Sequence, residues 1–184
     1  CIIISEGLLR LVFPPALNYK FPATIFQFND ECETCLLKPL QKTYTIDKRV
    51  ITNQFGFRDH DYYSLEKPDS TYRIFSVGDS YAFGFGLEIE DTYAKVLENN
   101  LRKINTKKRI EVINGGVPAF NLWDIFQFIK GKVLSFRPDI IIIEINETDL
   151  RDKSVGANSL QCYKQTKYFE LKKFDSIVHD FCKK

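Results

Sequence analysis

From Tyr72 onward the chain switches between two hydrophobic periods. Arg73 to Val77 is a short apolar run that reads as a strand. Between Asp91 and Lys103, Tyr93, Val96, Leu97, Leu101 and Ile104 recur at helical spacing. Asp91 is a candidate N-cap for that helix, with Glu90 leaving the boundary open. Ile110 to Ile113 reads as a second strand, ended by Asn114-Gly115-Gly116. A second amphipathic helix is expected over Leu122 to Phe136, stopped by Arg137-Pro138. Asp139 to Ile145 holds four consecutive isoleucines, the pattern of a strand covered on both faces. Strands alternating with helices at this spacing predict an α/β fold with a parallel, doubly wound sheet in a three-layer α/β/α arrangement.

Either side of this block the pattern weakens. Residues 14–50 show no sustained period and are punctuated by Pro14-Pro15, Pro22 and Pro39. They read as an extended linker wrapping the domain edge, with a short strand near Thr43 to Ile46. Lys153 to Ser159 reads as a loop. Tyr168 to Phe181, with Phe174, Ile177, Val178 and Phe181 on one face, reads as a final helix. The expected organisation is an apolar or amphipathic segment over 1–13, a Pro- and aromatic-rich segment over 14–70, and the α/β domain over 71–184.

The 184 residues suit one domain with a substantial core. An apolar content of 44% and a charged content of 27% are ordinary for a soluble fold. A net charge of +2 argues against a nucleic-acid binder working through a basic surface. The cluster Lys103, Lys107, Lys108 and Arg109 is short and reads as a solvated face. The chain begins at Cys1 and lacks methionine, so it reads as a fragment or a processed chain. Ile2 to Phe13 is too short to span a bilayer. It fits the end of a signal anchor, a soluble amphipathic helix, or a lipoprotein start at Cys1. Cys32 and Cys35 form a lone C-x-x-C without a second ligand pair, which leaves a local disulfide or two inert thiols. Cys162 and Cys182 carry no spacing signal.

Gly78-Asp79-Ser80 places a serine at the carboxyl end of a strand, where open α/β sheets bind ligands. The wording continues through Phe83-Gly84-Phe85-Gly86-Leu87 and Asp91-Thr92-Tyr93 to Leu97-Glu98. This stretch resembles the nucleophile block of the SGNH (GDSL-type) esterases and acylhydrolases. The resemblance implies that Ser80 is the nucleophile and that its N–H is one oxyanion donor. Acyl transfer needs a nucleophile, a base and donors for the oxyanion. Asn114-Gly115-Gly116-Val117-Pro118 resembles the family's Asn-x-Gly turn, which implies that the Gly116 N–H is a second donor. In the third block the chain departs from the family's Gly-x-Asn-Asp. Counting from Pro138, the asparagine position falls on Thr148 and the glycine position on Asn146. Thr148 could donate its hydroxyl, and Asn146 could serve if the loop shifts by two residues.

The family's base is a histidine in Asp-x-x-His. Here His179 follows Asp175 by four residues, a pairing expected on one face of a helix. The catalytic motif is therefore expected beyond Lys184, with Asp175 and His179 the candidate base pair within the chain. His60 is expected in an exposed polar loop. Asn53-x-x-Gly56-Phe57-Arg58-Asp59 resembles the segment that precedes Gly-Asp-Ser in a membrane-tethered branch of the family. The resemblance implies hydrolysis of an acetyl or short acyl ester on a carbohydrate or lipid. It also implies no metal or organic cofactor, and an extracytoplasmic, membrane-anchored location, with a cytoplasmic one as the alternative. O-acyl transfer to a cell-envelope glycan and a non-catalytic SGNH-like binding domain are the rival readings. Phe83, Phe85, Phe120 and Trp123 are candidates to line an acyl or sugar site, or to fill the core.

Overall fold

The computed structural model describes residues 25–45, 48–104, 107–147 and 149. The segments over 1–13, 153–159 and 168–181 lie outside the described residues, as do Thr148, Asp175 and His179. Two antiparallel hairpins come first. β1 (Phe26–Asn29) pairs with β2 (Thr34–Leu37), and β3 (Lys42–Thr45) with β4 (Lys48–Ile51). A parallel sheet follows in the order β6-β5-β7, built from β5 (Thr71–Gly78), β6 (Arg109–Gly116) and β7 (Ile140–Ile143). Its helices are α1 (Ser80–Phe83), α2 (Tyr93–Ile104) and α3 (Leu122–Gly131). The protein is thus a mixed α/β fold, with helices on both faces of a parallel three-stranded sheet.

Strand alternation sets the two faces. Phe75 and Val77 of β5 and Ile113 of β6 join Ile125 and Phe128 of α3 in the larger core. Ile74, Ile110 and Val112 point the other way, against Ala94, Leu97 and Leu101 of α2. The larger core also takes Ile25, Phe26, Leu36, Leu37 and Val50 from the hairpins and Phe57 from the loop after them. The described part of the stretch expected to be an extended linker, from Ile25 on, therefore packs onto the sheet domain. Its apolar residues do not alternate cleanly because β2 is buried at every position. Phe57 meets Phe75 edge-on at 5.1 Å and Phe136 at 5.2 Å. Burying such a ring contributes roughly 1.5–3 kcal/mol, and edge-on packing adds about 0.5–1.5 kcal/mol.

Several boundaries differ from expectation. α2 begins at Tyr93, and the Thr92 carbonyl accepts the first helical bond, from Val96 N–H. Asp91 lies in a preceding 3-10 turn, so Thr92 takes the cap position. Val96 and Ile104 face solvent, while Ala94 and the buried Glu98 face inward. Glu98 is tied to Lys95, Arg102 and the Val112 N–H. The second amphipathic stretch is two elements, α3 and a 3-10 turn over Val133–Phe136, separated at Lys132. β7 is not covered throughout: Ile141 and Ile142 pack on opposite cores, whereas Ile140 and Ile143 are exposed. The expected strand near Thr43 is β3. Among the described residues no helix is long and apolar enough to cross a membrane.

Candidate functional site

β5, β6 and β7 all deliver their carboxyl ends to one edge, and the described sequence candidates meet there. Ser80 is the first residue of α1, directly after β5. Gly116 pairs with Gly78 in the parallel register. Asn146 follows β7, and its amide donates to Asp79 Oδ2 at 2.8 Å.

Local chemistry explains the sharp turn into α1. Asp79 caps the helix, its Oδ1 accepting the Tyr81 N–H at 2.8 Å. Gly84 closes it in the left-handed region at φ 80°, its N–H donating to the Ser80 carbonyl at 3.1 Å. The Phe85 N–H donates to the same carbonyl at 2.9 Å. Ser80 is half-buried, and among the described residues no group hydrogen-bonds to its hydroxyl or its backbone N–H. That N–H is the first of the helix, so it is free to receive an anion from solvent.

Gly116 has a different role from the one expected. Its N–H donates to Asn114 Oδ1 at 3.0 Å, within its own strand. A side chain there would run into the backbone of Ala82 and Phe83, so glycine is needed for β6 to pass close under α1. Asn114 is buried and also donates to the Phe83 carbonyl at 3.3 Å. Asn114-Gly115-Gly116 thus belongs to β6, and the true turn is one step later. Val117 N–H donates to the Gly78 carbonyl at 3.0 Å, and Phe120 N–H returns to the Val117 carbonyl at 3.2 Å. Between them Pro118 and Ala119 make the corner, with Ala119 exposed at φ 64°. Among the described residues the Ala119 N–H has no acceptor. The signal for it was Val-Pro followed by a small residue, the wording of a turn with a left-handed third position.

Three carboxyl groups gather beside Ser80. Glu144 sits against Gly78, with its Oε2 buried and without a hydrogen-bond partner among the described residues. Asp149 Oδ2 accepts the Asn146 N–H at 2.9 Å. Burial first, then the neighbouring Asp79 charge, pushes the Glu144 carboxyl above its usual range. Burial and the Asp79 charge raise Asp149 as well. Asn146 is thus engaged with Asp79 and with its own loop. Its side chain reaches the residue next to Ser80 without the two-residue shift.

The aromatic candidates divide. Phe83 and Phe120 are core residues, and Phe85 packs against that core. Only Trp123 is exposed, beside Phe126 at 6.2 Å between ring centroids. His60 is exposed, as expected, and contacts Glu90 at 3.2 Å. Cys32 is a free buried thiol that burial pushes up to about 11, so it is inert. Cys35 is disulfide-bonded, so the two do not form a local C-x-x-C bridge with each other. Among the described residues no group of three His, Cys, Asp or Glu is arranged to hold a metal ion.

No protein-family model matches this chain, and no curated protein matches it.

Proposed function

We propose that the protein is a serine esterase of the SGNH type, with Ser80 attacking an acetyl or short acyl ester on a carbohydrate or lipid. The observation that supports this most is the setting of Ser80. It stands at the carboxyl end of a central parallel strand, on the first turn of a helix, with its hydroxyl and N–H both uncommitted among the described residues. In this reading the Ser80 N–H is one oxyanion donor. The Ala119 N–H, which has no acceptor among the described residues, replaces Gly116 as the second, because the Gly116 N–H is already bonded. Thr148 remains the third-block candidate and His179, with Asp175, the candidate base. The disulfide at Cys35 supports an oxidising, extracytoplasmic location, and a membrane tether through the N-terminal segment belongs to the same reading.

A non-catalytic binding domain is the competing reading. It draws support from the engaged Gly116 N–H and from His60, which contacts Glu90 and not Ser80. Treatment with a fluorophosphonate probe, with Ser80→Ala as control, decides between them. Labelling that disappears in the variant supports the esterase. Silence in this chain and in one extended past Lys184 supports the binding domain.

A further inference from the structure

Arg58 has no exposed surface, yet among the described residues no carboxylate is paired with it. Its partners are backbone carbonyls. Nη1 donates to Phe83 O at 2.9 Å and to Gly84 O at 2.6 Å, and Nη2 donates to Leu87 O at 2.5 Å. A weaker contact reaches Arg49 O at 3.4 Å, and the guanidinium lies 4.6 Å from the Phe83 ring centroid. A buried cation is costly unless its donors are satisfied. Here the turn after α1 supplies acceptors for Nη1 and Nη2, while Nε is buried without a partner among the described residues.

The presentation of Arg58 is local and explains the spacing Asn53-x-x-Gly56-Phe57-Arg58. The Asn53 side chain accepts the N–H groups of Phe55 at 2.9 Å and Phe57 at 3.1 Å. Gly56 takes φ 81° at the corner. Phe57 plugs into the aromatic core, and Arg58 bridges back to Thr52. The turn therefore aims one guanidinium at the carboxyl end of α1.

Two peptide groups connect that guanidinium to Ser80. The Phe83–Gly84 peptide accepts from Arg58 through its carbonyl and donates through Gly84 N–H to the Ser80 carbonyl at 3.1 Å, a bond shared with the Tyr81 carbonyl at 3.0 Å. The Gly84–Phe85 peptide does the same through Phe85 N–H. On the other side of Ser80, the Tyr81 N–H of that same peptide unit donates to Asp79. The chain runs from a cation, through aligned peptides, to a carboxylate, and hydrogen bonds in such a chain strengthen one another.

We propose that Arg58 is a positioning residue for Ser80: through two peptide groups it orients and polarises the Ser80–Tyr81 peptide, and Asp79 closes the chain. No proton moves along it. Its bearing on chemistry rests on the esterase reading, whereas its structural content does not.

Amide exchange on the whole chain tests it, with Arg58→Met and Arg58→Lys. In Arg58→Met the protection of the Gly84 and Phe85 amides falls about tenfold or more, the size of one lost charge-assisted hydrogen bond. The Tyr81 amide resonance moves upfield, and the amides of Ile74 and Ile113 in the sheet keep their protection. Arg58→Lys retains more Gly84 and Phe85 protection than Arg58→Met, because it keeps the charge. If Arg58→Met protects these amides as well as Arg58→Lys does, the role is packing alone and the proposal falls. Should both variants fail to fold, the wild type decides. Resolved, slowly exchanging Nη protons on Arg58 support the carbonyl cage, and rapidly averaged ones overturn it. Fluorophosphonate labelling in the same samples separates the two readings. The expected exchange pattern with an unreactive Ser80 sinks the esterase and leaves the positioning chain. A reactive Ser80 with unchanged exchange in Arg58→Met does the opposite.

Discussion

Two strand-to-helix turns stand side by side at the carboxyl edge of the sheet, one after β5 and one after β6, and they are held by different means. The first carries Ser80 and is gripped by charge at both ends. Asp79 takes the N–H of Tyr81, and Arg58 takes the carbonyls of Phe83 and Gly84. The second is held by neutral groups at its corner and by a capping box at its end. There Asn121 accepts the Asp124 N–H at 3.0 Å, and Asp124 accepts the Asn121 N–H at 3.2 Å. α1 has only four residues, too few to hold its shape alone. α3 has ten and buries Ile125 and Phe128 in the core. The shorter element needs the stronger local bonds, so the exposed edge of Ser80 sits on the part of the fold that depends most on electrostatics.

The seam between the turns is where the largest effect is expected. Gly116 packs beneath the Ala82–Phe83 backbone, and neither side can yield without moving α1. Gly116→Ala should cost about 3 kcal/mol or more, the upper end of overpacking, measured by urea unfolding. If the variant unfolds like wild type, the two turns do not share a rigid seam.

Cap removal compares the turns directly. Asp79→Ala removes the acceptor for both Tyr81 N–H and the Asn146 amide. Asn121→Ala removes one half of a capping box on a helix that its core contacts also hold. We expect about 2 kcal/mol for the first and about 1 kcal/mol for the second. Equal losses would show that charge gives the β5 turn no special dependence.

The grips at the two ends of α1 should also answer differently to pH. Burial lowers Arg58 only to about 10, so it keeps its charge through the neutral range. Glu144 and Asp149 are both raised. A carboxyl raised on folding binds its proton more tightly in the native state. Its stabilisation is complete below the ordinary carboxylate value of about 4 and is lost as pH rises through the raised native value. This part of the wild-type stability should therefore decline as pH rises across this window. Glu144→Gln, which removes the titrating carboxyl, should decline less. Parallel melting-temperature curves for the two proteins between about pH 4 and pH 8 would show that Glu144 contributes no such pH dependence.

The sequence disclosed the β5 turn and misplaced its neighbour, for reasons that differ by turn. Gly-Asp-Ser after an apolar run marks a strand end because each residue serves one local purpose. The glycine allows close approach, the aspartate caps, and the serine takes the first helical position. Asn114-Gly115-Gly116 reads as a turn because glycines usually mark one. In the structure these glycines are there for an approach between β6 and α1, a contact across 33 residues that no local pattern reveals. Of the two hairpins only β3 was anticipated, and β1, β2 and β4 were hidden because strands of four residues are too short to show a period. Arg58 was legible as part of a motif, but its role was not. A buried guanidinium and an exposed one look alike until the carbonyls around it are placed. The same holds for Thr92 over Asp91, where both residues are good caps and only the Val96 bond chooses.

The smallest effect falls on the β6 turn. Ala119 occupies φ 64°, a region where a Cβ crowds the following carbonyl at a cost of roughly 1–2 kcal/mol. It is exposed, so no packing is lost with its methyl group. Glycine removes the crowding but adds freedom to the unfolded chain, which takes back about 0.5–1 kcal/mol. Ala119→Gly should thus stabilise the protein by a few tenths of a kcal/mol up to about 1 kcal/mol. Its effect on Ser80 labelling should be small, since in the esterase reading the proposed donor is the backbone N–H and not the side chain. A variant that is more stable and labels normally marks the left-handed corner as simple strain. One that gains stability while labelling drops shows instead that the strained alanine holds the N–H in place, and that the neutral turn is preorganised as firmly as the charged one beside it.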